Sequence, residues 1–246
     1  MRFRIVTACL LAGLATPAWA ETRPVVVELF TSQGCSSCPP ADALLDQLSH
    51  RDGVLALGYH IDYWDNLGWT DPFSSPEATA RQRAYAARFD RGQIFTPQIV
   101  VDGKEDMVGN DRGAVLAALD TQPQAVAPVH FTADGSEVTI GAGTGRGTIL
   151  LLRFARHRTT QIGAGENAHR TAEDTNAVLS IETRGEWTGS PRNFPIPALP
   201  AGEGYAVLVQ APDGRIVGAG STVRTGPAPV RMKETSATSP HPAPKA

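Results

Sequence analysis

Two cysteines stand between an apolar strand and an amphipathic helix, and this placement constrains the fold more than any other feature of the sequence. Residues 24–30 (PVVVELF) predict a buried strand, and residues 39–50 predict a helix whose apolar side chains recur at the helical period. Cys35 and Cys38 lie in the connection, at or just before the helix start. Free N–H groups and the positive end of the helix dipole stabilise a thiolate there. We therefore predict that Cys35 is an exposed nucleophile and that Cys38 is a more sheltered, resolving thiol.

The first twenty residues have the layout of a secretory signal peptide. Arg2 and Arg4 precede an apolar run at 5–15, and the triplet AWA at 18–20 forms a small-x-small cleavage site. The run is shorter than the roughly 20 residues that cross a membrane. We expect cleavage after Ala20, which leaves a periplasmic or secreted protein with two cysteines and no membrane anchor.

Composition limits the functional classes. The chain has 22 basic and 25 acidic residues and a net charge of −3, so no basic face is implied and nucleic acid is excluded as an expected partner. A hydrophobic content of 41% excludes a wholly disordered chain. With 24 Gly and 19 Pro, the chain is also a poor candidate for a helical bundle.

Strands and helices alternate in the first half of the chain, and strands dominate the second half. After residues 24–30 and 39–50, the pattern predicts strands at 54–60, 97–102 and 106–108 and helices at 76–89 and 112–120, the last with Asp111 as its N-cap. This order indicates an α/β domain at 21–124 with a mixed sheet and helices on both faces. Further strands are predicted at 129–133, 136–141, 147–156, 176–184, 204–211 and 214–223. They favour a small all-β, sandwich-like domain at 125–225, followed by a disordered tail at 226–246 that is rich in Pro, Ala, Ser and Thr.

The motifs of the chain resemble those of known families. The strand order, the Cys35-x-x-Cys38 motif and Pro97 before the third strand resemble thioredoxin-like thiol–disulfide proteins over about residues 24–120. A closer resemblance is to a secreted bacterial family named domain of unknown function 1223. It rests on VELFTSQGCSSCPPAD (27–42), HIDYWDNLGW (60–69), FTPQIVVDG (95–103) and GEN (165–167).

The resemblance implies a thioredoxin-like fold, an extracytoplasmic location and roles for individual residues. Cys35 falls on the nucleophile, Cys38 on the resolving thiol and Pro97 on the cis proline of the superfamily. On sequence alone, Pro97 would be an ordinary trans proline at a strand start. A cis proline there would face the cysteines and leave backbone free for a substrate chain, so Thr96 and Trp64 are predicted to contact the substrate.

This sequence also departs from the superfamily pattern. Gly34 stands where thioredoxins have Trp, and Ser36-Ser37 stands between the cysteines. The buried acid of thioredoxins falls on Leu29, with Glu28 one residue further back. Glu28 is therefore a candidate proton acceptor for Cys38; the alternative is a strand Glu that faces solvent or pairs with an Arg.

Two polar segments carry further candidates. His60 could tune the thiolate or bind a metal, and it could complete a zinc site with His50 and the cysteines. Asp62, Asp65 and Asp71 could hold a hard cation, but turn-forming Asp residues in a loop packed on Trp64 and Trp69 are the preferred interpretation. We predict no metal site and no cofactor. A second polar segment contains Glu166, Asn167, His169 and Arg170, and we interpret it as a solvated loop.

Three functional hypotheses follow. The first is a periplasmic or secreted thiol–disulfide oxidoreductase whose partners are protein thiols or disulfides, or a redox partner protein. The second is a non-catalytic binding or structural protein with an inert Cys35–Cys38 disulfide. The third is a copper-handling protein that uses both cysteines and His60, because soft thiolates select Cu(I). Whether the protein is an enzyme stays open at this point.

Overall fold

The structure is a computed structural model, and it describes residues 22–120 and 123–223. The predicted signal peptide and the predicted tail at 226–246 lie outside the described residues. The helices are α1 (Pro39–Ser49), α2 (Pro76–Arg88) and α3 (Arg112–Ala118). The strands are β1 (Val25–Thr31), β2 (Val54–His60), β3 (Gln98–Val101), β4 (Glu105–Val108), β5 (Val129–Phe131), β6 (Glu137–Ile140), β7 (Gly147–Gln161), β8 (Thr171–Trp187), β9 (Arg192–Pro195), β10 (Glu203–Gln210) and β11 (Ile216–Ser221).

One mixed sheet of eight strands organises the molecule, in the order β11-β10-β7-β8-β2-β1-β3-β4. β1 and β2 are parallel along their whole length, whereas β3 pairs with β1 in the antiparallel direction. β8 joins the sheet beside β2, where Gly58 is paired with Ala177. A Cβ atom at Gly58 would lie 3.2 Å from the Thr175 carbonyl oxygen, so a glycine there lets β8 approach β2 closely.

Both faces of the sheet are covered. Alternation along β1 directs Val25, Val27 and Leu29 into a core with α1 and α3. Val26 and Phe30 point to the opposite face, into a core that includes residues of α2. Beyond β8, the side chains of β7 and β10 pack against a small sheet of order β5-β6-β9 in a core that contains the fully buried Trp187.

The predicted elements are confirmed within a few residues, and Asp111 caps α3 by accepting a hydrogen bond from the Ala114 backbone N–H. The strand β9 was not predicted, and β7 and β8 extend further than expected. The sheet also continues across the expected boundary between residues 124 and 125, because β7, β8, β10 and β11 extend the sheet that β1–β4 begin. The division into a thioredoxin-like domain and a sandwich-like domain therefore stays a prediction. Among the described residues, no helix is long and apolar enough to cross a membrane.

Candidate functional site

The two cysteines lie at the carboxyl end of β1, where the chain turns into α1. The Cys35 N–H donates to the Ser32 carbonyl oxygen, and the Cys38 N–H donates to the Cys35 carbonyl oxygen. Cys38 is the N-cap residue of α1, with Pro39 and Pro40 following in the first turn. The prolines fit there because the first N–H groups of a helix have no intrahelical partner. Cys35 and Cys38 form a disulfide, and their Cα atoms are 5.4 Å apart.

Both cysteines are fully buried, at 0% exposure. The shelter of Cys38 agrees with the sequence analysis, but the predicted exposure of Cys35 is wrong. Other segments of the chain contact this turn: the Thr96 hydroxyl lies 3.4 Å from the Cys35 Sγ, and the Trp64 Nε1–H donates to the Thr96 Oγ1 at 2.9 Å. The Asn167 amide donates to the Cys35 carbonyl oxygen. The sequence could not show this coverage, because the three segments are distant along the chain.

Pro97 follows Thr96 at the start of β3, and the Thr96–Pro97 peptide bond is cis, as the resemblance implied. The Pro97 carbonyl oxygen accepts a hydrogen bond from the Gly109 N–H at 2.9 Å. The structure therefore brings Cys35, Thr96 and Trp64 together as predicted, with Pro97 adjacent to Thr96.

Glu28 lies on the face of the sheet opposite α1. It is fully buried, and its carboxylate accepts from Arg81 Nε at 2.6 Å, from Arg81 Nη2 at 3.0 Å and from the Tyr85 hydroxyl at 2.5 Å. The predicted role of proton acceptor for Cys38 is wrong, since alternation along β1 points this side chain towards α2. The alternative, an ion pair with an Arg, is the one that the structure contains.

An acid that the sequence analysis missed lies on α1. Asp42 follows Cys38 by four residues, so the two lie on the same helix face. Its carboxylate accepts from the Thr31 hydroxyl at 2.7 Å. Burial raises the pKa of Asp42 to about 7, against the opposing effects of the Thr31 hydrogen bond and of His60. The i+4 spacing from Cys38 was the available signal.

His60 forms the centre of a buried charge cluster at the end of β2. Its Nδ1 lies 2.7 Å from Asp71 Oδ2 and its Nε2 lies 3.7 Å from Asp174 Oδ1. Burial alone would lower the pKa of His60, but the carboxylates of Asp71, Asp174 and Asp42 raise it to about 9. The imidazolium in turn helps to hold the pKa of Asp71 below its usual value, against the effect of burial.

Gln33 joins this charge cluster to the cysteine turn. The Gln33 N–H donates to Asp71 Oδ2 and its side-chain amide donates to Asp174 Oδ2, both at 2.7 Å. Its side-chain oxygen accepts from Trp69 Nε1 at 3.1 Å. The charge state of His60 is therefore connected through hydrogen bonds to the residues that precede Cys35.

The Asp residues that were considered as cation ligands bind other partners. Asp62 accepts from the Thr79 hydroxyl, and Asp65 accepts from the Ser74 hydroxyl. His50 is exposed and lies beside the Asp46 carbonyl oxygen, whereas His60 is buried. In the ranges 22–120 and 123–223, no group of three or more His, Cys, Asp or Glu side chains forms an arrangement that could hold a metal ion.

The loop between β7 and β8 reaches the cysteine turn. Asn167 is 2% exposed, and its Nδ2 donates to the carbonyl oxygens of Gln33 and Cys35, at 2.9 Å each. The solvated-loop interpretation is thus wrong for Asn167, whereas Glu166, His169 and Arg170 are exposed. Beside this contact, a cavity of about 390 Å³ lies between α1 and β8. Its lining includes Asp42, Asn167 and Asp174.

Comparison with known proteins places the chain in a family. A family model described as "Protein of unknown function (DUF1223)" matches residues 26–210. The chain belongs to the DUF1223 family. The predicted family resemblance is therefore confirmed, and the match includes the cysteine turn, Thr96-Pro97 and Asn167. No curated protein matches the chain.

Two solved structures are similar to this DUF1223 protein. The crystal structure of protein AGR_C_4864 from Agrobacterium tumefaciens is 33% identical, with a TM-score of 0.71, and the match covers 85% of this chain and 98% of that one. HBP35 of Porphyromonas gingivalis is 15% identical, with a TM-score of 0.53, and the match covers 89% of this chain and 80% of that one. At 15% identity the second likeness concerns the fold alone.

Proposed function

We propose that this DUF1223 protein is a thiol–disulfide oxidoreductase on a thioredoxin-like frame, which acts on protein thiols or disulfides in the periplasm or outside the cell. The observation that carries the proposal is the Cys35–Cys38 disulfide at the start of α1, with the Thr96 hydroxyl 3.4 Å from the Cys35 Sγ. A helix N-terminus stabilises the thiolate that disulfide exchange requires. A disulfide is also consistent with an oxidising compartment.

The proposed reaction is an exchange between this disulfide and a protein dithiol. A substrate thiolate attacks the Cys35 Sγ, the Cys35–Cys38 bond breaks, and Cys38 leaves as a thiolate that takes up a proton. A second substrate thiolate then attacks the mixed disulfide and releases Cys35. The substrate loses two electrons and two protons, which the two cysteines gain; the reverse sequence reduces a substrate disulfide.

In this proposal Asp42 takes the place that was expected for Glu28. It lies on the same helix face as Cys38, and its pKa of about 7 lets it both accept and donate a proton near neutral pH. Thr96 and Trp64 would border the bound substrate chain, since they contact each other and Thr96 contacts the Cys35 Sγ.

The full burial of both cysteines favours a second candidate, a binding or structural protein with an inert disulfide. Structural disulfides resist the glutathione pool and have reduction potentials below about −300 mV. A copper-handling function has less support, since both ring nitrogens of His60 face carboxylates, Asp71 and Asp174.

The reduction potential and a trapping variant test the proposal together. We expect the Cys35–Cys38 couple to equilibrate with glutathione at a potential above about −300 mV. Cys38→Ser should accumulate mixed disulfides through Cys35 in the native host, because the resolving thiol is lost, and they would be detected on non-reducing gels.

Cys35→Ser is the matched control and should trap no partner. A potential below about −300 mV, together with a Cys38→Ser protein that traps nothing, would establish the inert disulfide instead. Tight Cu(I) binding that either substitution abolishes would favour the copper function.

A further inference from the structure

We propose that residues 162–170, the cap loop, close over the disulfide, and that Asn167 is the positioning residue that holds the loop shut. The disulfide would then react with a thiol only while the cap loop is lifted. The biological role of the cap rests on the proposed function; its physical action on the disulfide does not.

The cap loop is folded by its own backbone. The Ile162 N–H donates to the Arg170 carbonyl oxygen at 2.9 Å, and the His169 N–H donates back to the Ile162 carbonyl oxygen at 2.8 Å. Inside the loop, the Ala168 N–H donates to the Gly165 carbonyl oxygen at 3.1 Å. Because these bonds lie within the loop, it can lift as a unit without losing its own fold.

The Asn167 side chain supplies a polar contact between the cap loop and the cysteine turn. The two N–H groups of the Asn167 amide match two carbonyl acceptors, those of Gln33 and Cys35. The Asn167 Oδ1 is buried and has no partner within the part of the chain that the structure describes. An unpaired buried oxygen raises the free energy of the closed state, and opening returns it to water. The two donated bonds therefore favour the closed loop, and the unpaired oxygen opposes closure.

The cap loop also seats against the segment at 64–69. A Cβ atom at Gly165 would lie 3.2 Å from the Trp69 Cβ, and one at Gly68 would lie 3.4 Å from the Gly165 Cα. Both glycines have positive φ, 75° at Gly165 and 103° at Gly68, which other residues rarely adopt. The two backbones therefore approach each other closely.

The stem of the hairpin is anchored separately from the cap loop. Asp174 on β8 accepts from Gln33 Nε2 at 2.7 Å and faces His60. β8 is further held to β2 by the Asn176 side chain, which donates to the Ala56 carbonyl oxygen at 2.9 Å. Opening therefore requires motion of residues 162–170 alone, with β7 and β8 in place.

Reduction of the oxidised full-length mature protein by dithiothreitol tests the cap. One dithiothreitol thiolate attacks the disulfide and its second thiol closes the ring, so dithiothreitol becomes a cyclic disulfide while the two cysteines gain two electrons and two protons. Asn167→Ala removes both donated bonds, and we expect its reduction rate constant to rise about tenfold or more. Asn167→Asp keeps the shape of the side chain but cannot donate to either carbonyl, and it should react as fast as Asn167→Ala.

Asn110→Ala is the matched control. The Asn110 Nδ2 donates to the Ser37 carbonyl oxygen at 2.8 Å, so it holds the same turn from outside the cap loop. We expect its rate constant to stay within about twofold of wild type, a smaller change than one buried hydrogen bond produces. Thermal unfolding identifies which variants are folded. If Asn167→Ala does not fold, the cap is tested by comparing Asn167→Asp with wild type.

The outcomes separate the cap from the proposed function. Wild-type reduction rates in the Asn167 variants, or an equal acceleration by Asn110→Ala, would overturn the cap. If Asn167→Ala accelerates reduction while Cys38→Ser traps no partner, the cap stands and the oxidoreductase proposal fails. If Cys38→Ser traps partners while the Asn167 variants are reduced at the wild-type rate, the oxidoreductase proposal stands and the cap fails.

Discussion

Arg81→Ala is expected to lower the free energy of unfolding by about 3–5 kcal/mol, because it leaves the Glu28 carboxylate buried without its charged partner. Glu28 is fully buried, and its carboxylate accepts two hydrogen bonds from Arg81, at 2.6 and 3.0 Å. Urea unfolding followed by circular dichroism measures the loss. The remaining bond from the Tyr85 hydroxyl is neutral and cannot replace the guanidinium.

Arg215→Ala is the matched control, since the side chains of Arg215 and Asp213 are 53% and 51% exposed and pair at 2.6 Å. Exposed pairs contribute about 0–1 kcal/mol, so this variant should unfold close to wild type. Equal losses of unfolding free energy in the two variants would show that the buried Glu28–Arg81 pair stabilises the fold no more than an exposed pair does.

A further variant, Glu28→Gln, tests whether Glu28 acts on the cysteines. Glu28→Gln should leave the rate of Cys35 labelling unchanged after reduction, because Glu28 lies on the sheet face opposite α1.

The buried elements could be predicted from the sequence because their side-chain periods are strong. Residues 24–30 and 54–60 are almost continuously apolar, and the apolar positions of α1 recur every three or four residues. The N-cap role of Asp111 is local as well, since its carboxylate needs only the N–H of Ala114, three residues on. Hydrophobic period and capping are short-range signals, and short-range signals were sufficient for these elements.

The partner of β2 could not be predicted in this way. A strand buried on both faces shows no preference for the neighbour on its open edge. β8 fills that edge and carries exposed residues along much of its length, so its pattern resembles that of a solvated hairpin. The pairing depends on Gly58, whose missing side chain leaves room for the β8 backbone.

Part of the candidate site could likewise be predicted from the sequence, and part of it could not. The Cys35-x-x-Cys38 motif and Pro97 are sequence motifs, and the structure places Thr96, the residue before Pro97, against Cys35. The hydrogen bond from Asn167 to the Cys35 carbonyl oxygen joins residues 132 positions apart, which no local pattern contains. The predicted role of Glu28 was wrong because only its distance from Cys35 along the sequence was considered. Alternation along β1 places its side chain on the sheet face opposite α1.

Stability should fall as the pH rises from about 6.5 to 9, and His60 is the group responsible. The pKa of His60 is raised to about 9 in the folded protein, from its ordinary value of about 6.5. Below pH 6.5 the imidazole is charged in both states, so its pairing with Asp71 contributes fully. Between the two values only the folded state keeps the proton, and the contribution is lost progressively as the pH rises. A shift of this size corresponds to about 3 kcal/mol.

The carboxyl groups of the cluster also titrate. Asp42, whose pKa is raised to about 7, also makes stability fall as the pH rises, but between about 4 and 7. Asp71, whose pKa is lowered, contributes stability that is lost as the pH falls below its ordinary value. Burial raises the pKa of Asp174, so this group also makes stability fall as the pH rises above its ordinary value. The contribution of His60 is therefore obtained by comparison with a variant that lacks the imidazole.

Urea unfolding of wild type and His60→Gln across pH 6–9.5 measures this contribution. His60→Gln should be less stable at pH 6 and should lose the slope between pH 7 and 9, because the titrating group is gone. His157→Gln is the matched control: His157 is 62% exposed and pairs with Glu173 at the surface, so the slope should persist in that variant. A His60→Gln protein with the wild-type slope would show that His60 is not held charged by Asp71.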